Sequence, residues 1–126
     1  MSTKYKILLI GYSNIARKRL IKTFLKKKIP FCVASKSYKK KIKGSYKQFD
    51  NYSEALKYSG ADIVYLSLPN SMHFPWSKKV LNSGYHLIVD KPITTRATTN
   101  IQDTILFISK ESINDFLTRF LIIFKQ

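Results

Sequence analysis

The sequence predicts an α/β domain, a doubly wound and mostly parallel sheet with helices on both faces. Three observations predict it. The apolar runs are short and continuous rather than alternating, which is the pattern of strands buried on both faces. Segments with helical spacing stand between those runs, as parallel neighbours require. Turn residues then close the runs, giving the order β-α-β-(β)-α-β-α-β-α-β. At 126 residues, 44% of them hydrophobic, the chain suffices for one core and is too short for two domains.

The first run is Lys6 to Ile10, ended by Gly11. Asn14 is placed to cap the next helix, with Ala16, Leu20 and Phe24 on its inner face and Ile21 and Leu25 beside them. Arg17, Lys18, Lys22, Lys26 and Lys27 cover the remainder, and the helix ends before Pro30. Phe31 to Ala34 reads as a second buried strand containing Cys32. Ser35 to Tyr46 reads as an exposed connection, and Tyr46 to Phe49 as a short edge strand. Ser53 starts a helix through Tyr58, with Gly60 at its C-terminus. Asp62 to Leu68 is strand-like, Ser71 to Asn82 helical and His86 to Val89 a further buried strand. Ile101, Ile105 and Ile108 mark one face of another helix, and Phe116 to Phe124 forms the last apolar run.

Composition excludes several classes. No apolar run approaches the roughly 20 residues of a membrane span, and no secretory leader pattern is present, so the expected location is cytoplasmic. The lone Cys32 excludes an internal disulfide and a cysteine-rich metal module, and no metal is expected. The net charge of +16 is divided unevenly. Met1 to Phe49 carries 15 Lys and Arg and no acid, whereas the remainder sets eight basic residues against seven acidic ones. An anionic partner of the first half would be a phosphorylated cofactor, a nucleic acid or a membrane surface. A lysine-rich solvated surface explains the same charge without a ligand.

In an open parallel sheet, ligands bind at the carboxyl ends of the strands. Gly11-Tyr-Ser-Asn-Ile-Ala16 follows a strand and opens a helix, as the dinucleotide-binding fingerprint requires. Gly11 would permit the tight turn, amides near Ser13, Asn14 and Ile15 would face a pyrophosphate, and Ala16 would let helix and strand approach. Ser13 stands where the fingerprint has its second glycine. An ordinary strand-to-helix turn is the alternative reading. About 20 residues on, where a carboxylate would accept from the ribose of NAD, the chain has Ser35-Lys36-Ser37. A lysine between two hydroxyls suits the 2′-phosphate of NADP, so NADP(H) is favoured over NAD(H).

The third cluster joins Leu68, Pro69, Asn70 and His73 to Asp90-Lys-Pro-Ile93. Here the stretch from Ala61 to Ile93 resembles the Gfo/Idh/MocA family of NAD(P)-dependent oxidoreductases, named for glucose-fructose oxidoreductase and inositol dehydrogenase. The similarity lies in a strand, a Pro-Asn-x-x-His turn, a helix, and a strand closed by an acid-Lys-Pro triplet. It extends from about Lys4 to the end of the chain and implies a Rossmann-type cofactor domain. The resemblance implies that Lys91 is the catalytic lysine, positioning substrate and nicotinamide and taking part in proton transfer. A cation there would stabilise a developing alkoxide. It also implies that Leu68, Pro69, Asn70 and His73 line the cofactor crevice beside Asp90, which replaces the family's glutamate. His86 and Trp76 read as structural.

Family members carry a second, substrate-binding domain, and this chain ends where that domain should begin. The expectation is therefore one cofactor domain over 1–126, truncated, acting on a sugar or polyol only when a second domain is supplied. A non-catalytic dinucleotide-binding module or degenerate remnant is the alternative. A nucleic-acid or anionic-surface binder is the third reading. Nucleic acid is not favoured, because no zinc finger, RNP-type aromatic pattern or clear recognition helix accompanies the charge. Apolar surface on the last strand makes self-association expected.

Overall fold

The computed structural model describes residues 5–90 and 105–108. Six strands form one sheet in the order β3-β2-β1-β4-β5-β6. They are β1 (Ile7–Ile10), β2 (Phe31–Ala34), β3 (Ser45–Phe49), β4 (Ile63–Leu66), β5 (His86–Asp90) and β6 (Ile105–Ile108). Strands β1 to β5 are parallel, with Ile7 opposite both Phe31 and Ile63 and Ile63 opposite His86. The central strands β1 and β2 are buried along their whole length, which is why they read as continuous rather than alternating apolar runs.

Strand β6 corrects one sequence expectation. Ile105 and Ile108 belong to no helix; they pair antiparallel with β5, Leu87 opposite Ile108 and Asp90 opposite Ile105. The spacing of Ile101, Ile105 and Ile108 mimics a helical face, but Ile-Leu-Phe-Ile is also a continuous β-prone run. The otherwise open edge of β5 gives it hydrogen-bond partners. Ile101 and the run from Phe116 to Phe124, expected as the last strand, lie outside the described residues.

Two layers cover the sheet. Helices α2 (Tyr52–Tyr58) and α3 (Asn70–Asn82) bury Tyr52, Ala55, Val80 and Leu81 against Leu8, Ile10, Cys32, Val64 and Leu66. On the opposite face, a π-helical turn over Ala16–Leu20 runs into α1 (Ile21–Lys26). There Ala16, Ile21 and Phe24 pack on Ile7, Leu9, Phe31 and Val33. The wide turn is closed by the Ile21 N–H donating to the Ala16 carbonyl, five residues back. It moves the buried face from Ala16 to Ile21, so Leu25, expected beside the inner face, is 45% exposed.

The connection after β2 is not simply exposed. Ile42 is buried in the α1 layer, because Gln48 clamps the loop over it. The Gln48 Oε1 accepts from the Ile42 N–H at 2.9 Å, and its Nε2 donates to the Lys40 carbonyl at 2.6 Å. Two caps also differ from expectation. Ser13 rather than Asn14 accepts from the Ala16 N–H, and α2 is capped by Asn51, whose side chain accepts from the Glu54 N–H. The C-terminal carbonyls of α2 are taken by side chains from neighbouring elements. The Tyr46 hydroxyl donates to Ser59 at 2.8 Å, Lys47 Nζ to Tyr58 at 3.0 Å, and the Tyr85 hydroxyl to Leu56. Cys32 is buried beside Tyr46, and burial pushes its thiol up, consistent with a packing role.

Helix α1 ends in a Schellman arrangement, with Ile29 N–H to the Phe24 carbonyl at 2.8 Å and Lys28 N–H to Leu25 at 3.3 Å. The left-handed position, normally glycine, is Lys28 with φ 57°. Lys28→Gly is therefore expected to stabilise the fold by about 1 kcal/mol. Chemical denaturation should show a higher midpoint with an unchanged slope; a lower midpoint would show that the Lys28 side chain outweighs its backbone cost. No helix among the described residues is long and apolar enough to cross a membrane.

Candidate cofactor-binding site

Strand β1 lies between β2 and β4, so successive connections leave it in opposite directions and open a crevice at its carboxyl end. Gly11 forms the floor. It is buried with φ 94°, and its N–H donates to the Ala34 carbonyl at 2.8 Å. A Cβ at this position would lie 2.3 Å from the Ser67 carbonyl oxygen and 2.9 Å from Leu68 Cδ2. The turns after β1 and β4 therefore meet at Gly11 with no room for a side chain, which explains the residue type.

Ser13 ties the two turns together. Its Oγ lies 2.5 Å from Ser67 Oγ and also accepts the Ala16 N–H at 3.1 Å. The next amide, Arg17 N–H, donates to the Ser13 carbonyl. The amides of Asn14 and Ile15 thus precede the hydrogen-bonded ladder, in the place where helix N-termini receive anions. Asn14 is exposed, and Ile15 is 57% exposed, an apolar side chain left uncovered at the crevice. Ser67 was missed by sequence reasoning because it reads as part of the strand; its signal is a hydroxyl ending an otherwise apolar run.

The residues after β2 divide into two roles. Ser35 is 3% exposed, its Oγ accepting the Tyr38 N–H at 3.1 Å while its own N–H donates to Phe49 at 2.9 Å. It builds the turn. Lys36 and Ser37 are exposed on that turn, and Lys36 Nζ lies 4.9 Å from the Tyr52 ring centroid. Burial raises the Tyr52 hydroxyl above its ordinary range, partly offset by its hydrogen bond with the Lys36 backbone. On the α1 side the Tyr12 and Tyr38 rings stand 4.6 Å apart with Arg17 over both. These aromatic supports were not apparent in the sequence, where the tyrosines are far apart.

Beyond β4, Leu68 is partly buried, Pro69 is exposed and Asn70 opens α3. His73 is 2% exposed, and its Nε2 donates to the Leu68 carbonyl at 2.7 Å. It therefore holds the turn from within rather than facing an open crevice. Asp90 ends β5 opposite Ile105, and Lys91 lies outside the described residues. Trp76 packs edge-on against Tyr52, with centroids 5.2 Å apart. A cleft of about 480 Å³ at the β3 edge is lined by Tyr38, Lys39, Lys41, Gln48, Phe49, Asp50 and Glu54. Among the described residues no cluster of His, Cys, Asp or Glu could hold a metal ion.

A sheet ordered 3-2-1-4-5-6 with a buried glycine turn at its switch point defines a dinucleotide-binding domain of Rossmann type. Residues 5–106 match the Gfo/Idh/MocA family, described as "Oxidoreductase family, NAD-binding Rossmann fold", and the chain belongs to that family. The dTDP-3,4-didehydro-2,6-dideoxy-alpha-D-glucose 3-reductase of Streptomyces violaceoruber is 32% identical over 94 residues, covering 69% of this chain and 27% of that protein. D-xylose 1-dehydrogenase (NADP(+)) 2 of Haloferax volcanii is 33% identical over 49 residues, covering 39% of this chain and 15% of its own length. Among solved structures, a 3-ketoreductase from Actinomadura kijaniata, in complex with NADP and TDP-benzene, superimposes with a TM-score of 0.65. It is 23% identical and covers 74% of this chain and 30% of that one. The WlbA dehydrogenase of Bordetella pertussis, in complex with NADH and UDP-GlcNAcA, superimposes with a TM-score of 0.60, at 19% identity, covering 75% and 31%. The chain spans less than a third of the length of each of these relatives.

Proposed function

We propose that this chain is the NADP(H)-holding part of an oxidoreductase acting on a sugar or polyol. The observation that carries the reading is the close approach of Gly11 to Ser67, which brings the turns after β1 and β4 together beside the start of a helix. In this reading the Ser13, Asn14 and Ile15 region receives the pyrophosphate. Lys36 and Ser37, on the turn built by Ser35, receive the 2′-phosphate. Leu68, Pro69 and Asn70, held by His73, form the opposite wall, with Asp90 at the end of β5. The bound nicotinamide supplies hydride chemistry. Lys91, following β5, is the catalytic lysine of the proposal, stabilising negative charge on the substrate oxygen.

The substrate class rests on relatives whose names specify nucleotide-linked sugars and xylose. Those proteins are more than three times longer than the stretch they share with this chain, so a second, substrate-binding domain is part of the proposed active unit, which works in the cytoplasm. The preference for NADP(H) rests on local charge, since no carboxylate occurs before Asp50. Lys36→Asp removes a cation beside the 2′-phosphate and adds an acceptor for a free ribose. It should lower the NADPH-to-NADH affinity ratio by at least about tenfold, as 1.4 kcal/mol would. Titration of both dinucleotides against the variant checks this, and an unchanged ratio would sink the assignment of Lys36.

A further inference from the structure

We propose that Arg17 is a second cation for the 2′-phosphate of the dinucleotide, held in place by Tyr12 and Tyr38; this rests on the reading of the crevice as an NADP(H) site. Arg17 lies on the first turn of the helix, and its sequence position alone describes a solvated surface residue. The structure places its guanidinium carbon 5.7 Å from the Tyr12 centroid and 5.9 Å from the Tyr38 centroid. The two rings are themselves in contact, tilted by 52°.

Each ring belongs to a different strand-end turn. Tyr12 follows Gly11, whose position is fixed by the Ser67 carbonyl. Tyr38 is fixed by its N–H to Ser35 Oγ. The guanidinium is thereby tethered to the β1 turn and the β2 turn at once, and the gap between them is where the adenosine ribose of a dinucleotide lies in this fold. Burial, with the neighbouring Tyr38, raises the Tyr12 hydroxyl above its ordinary range, and the Arg17 charge beside it partly offsets the rise.

Lys36 approaches the end of β2 from the other side, over Tyr52 in the α2 layer. The two cations, each seated on tyrosine, thus flank one strand end. A guanidinium lying over a ring uses its face for the contact and keeps its N–H edge for oxygen, so a phosphomonoester can be gripped by two parallel bonds. Lysine offers a point charge without that fork. With less side-chain freedom to lose, the clamped arginine binds at lower entropic cost than a freely rotating one.

The test is titration of the 126-residue chain and its variants with NADPH, NADH and adenosine 2′,5′-bisphosphate. Arg17→Gln should weaken NADPH and the bisphosphate by about tenfold or more, the effect of losing a charged hydrogen-bond pair. NADH should change less than about twofold. Arg17→Lys, which keeps the charge and the helix, should recover only part of the loss. Tyr38→Leu, which removes half of the clamp, should weaken NADPH selectively and by less than Arg17→Gln. Equal weakening of NADPH and NADH, or undiminished NADPH binding by both arginine variants, would overturn the role of Arg17. The Lys36→Asp shift would in that case still support the NADP(H) site. Absence of binding by the unaltered chain would overturn both.

Discussion

Gly11→Ala is expected to cost the fold about 2–5 kcal/mol, a large share of the 5–15 kcal/mol typical of a domain. Two penalties combine. At φ 94° an L side chain pays roughly 1–2 kcal/mol for the backbone alone. The new Cβ would also stand 2.3 Å from a backbone carbonyl oxygen. A flexible side chain could rotate away, but Ser67 is held by its own N–H to the Ile10 carbonyl at 2.8 Å, so the turn must move and overpacking adds roughly 1–3 kcal/mol. Gly60→Ala supplies the control. Gly60 has φ 68° with nothing within 4 Å of the added carbon, so it should cost only the backbone share. Urea denaturation of both variants separates the contributions, and equal losses would show that the contact with Ser67 yields freely.

Ser13→Asp should act in the opposite manner, sparing the fold and weakening cofactor affinity about a hundredfold. Aspartate caps helices as well as serine does, and its carboxylate can accept from both the Ala16 N–H and the Ser67 hydroxyl that Ser13 now engages. The denaturation midpoint should therefore move little. Placing a fixed negative charge within a few ångströms of the pyrophosphate costs roughly 3 kcal/mol at a partly buried site, about a hundredfold in Kd. Because the repulsion involves the pyrophosphate common to both cofactors, NADPH and NADH should weaken together, in contrast to the 2′-phosphate variants. Retained affinity would place the phosphates away from Ser13.

Much of this architecture is legible in the sequence because parallel strands buried on both faces tolerate little but apolar residues. Lys6 to Ile10, Phe31 to Ala34 and His86 to Val89 nearly match the observed strands, and the helices expected at Ser53 to Tyr58 and Ser71 to Asn82 lie within a residue of those observed. The errors have physical causes. Leu25 was expected beside the inner face because a regular 3.6-residue period was assumed, and the π-helical turn lengthens one step of that period. The run at Ile105 was ambiguous between helix and strand, and the free edge of β5 decided it. Ile42 reads as part of an exposed loop because its burial goes with a contact that no local pattern marks, its N–H donating to Gln48 on the following strand β3.

The candidate site was legible as turns but not as a constellation. Gly11 and Ser13 were found by position, and the structure explains both through Ser67, which local pattern does not mark. Ser35, Lys36 and Ser37 look equivalent in sequence, whereas burial separates the residue that shapes the turn from the two it presents. His73 carries the resemblance to a crevice residue, yet its ring is spent on the Leu68 carbonyl. The aromatic seats of Arg17 and Lys36 depend on residues brought together by the sheet order, which no local pattern records.

The central claim is that the crevice between the β1 and β4 turns holds a dinucleotide through its phosphates. Calorimetric titration of the 126-residue chain with NADPH, and separately with NADH, at moderate salt addresses it most directly. One-to-one saturable binding with NADPH the tighter ligand is the predicted result. No saturable binding of either dinucleotide by the folded chain would contradict the account.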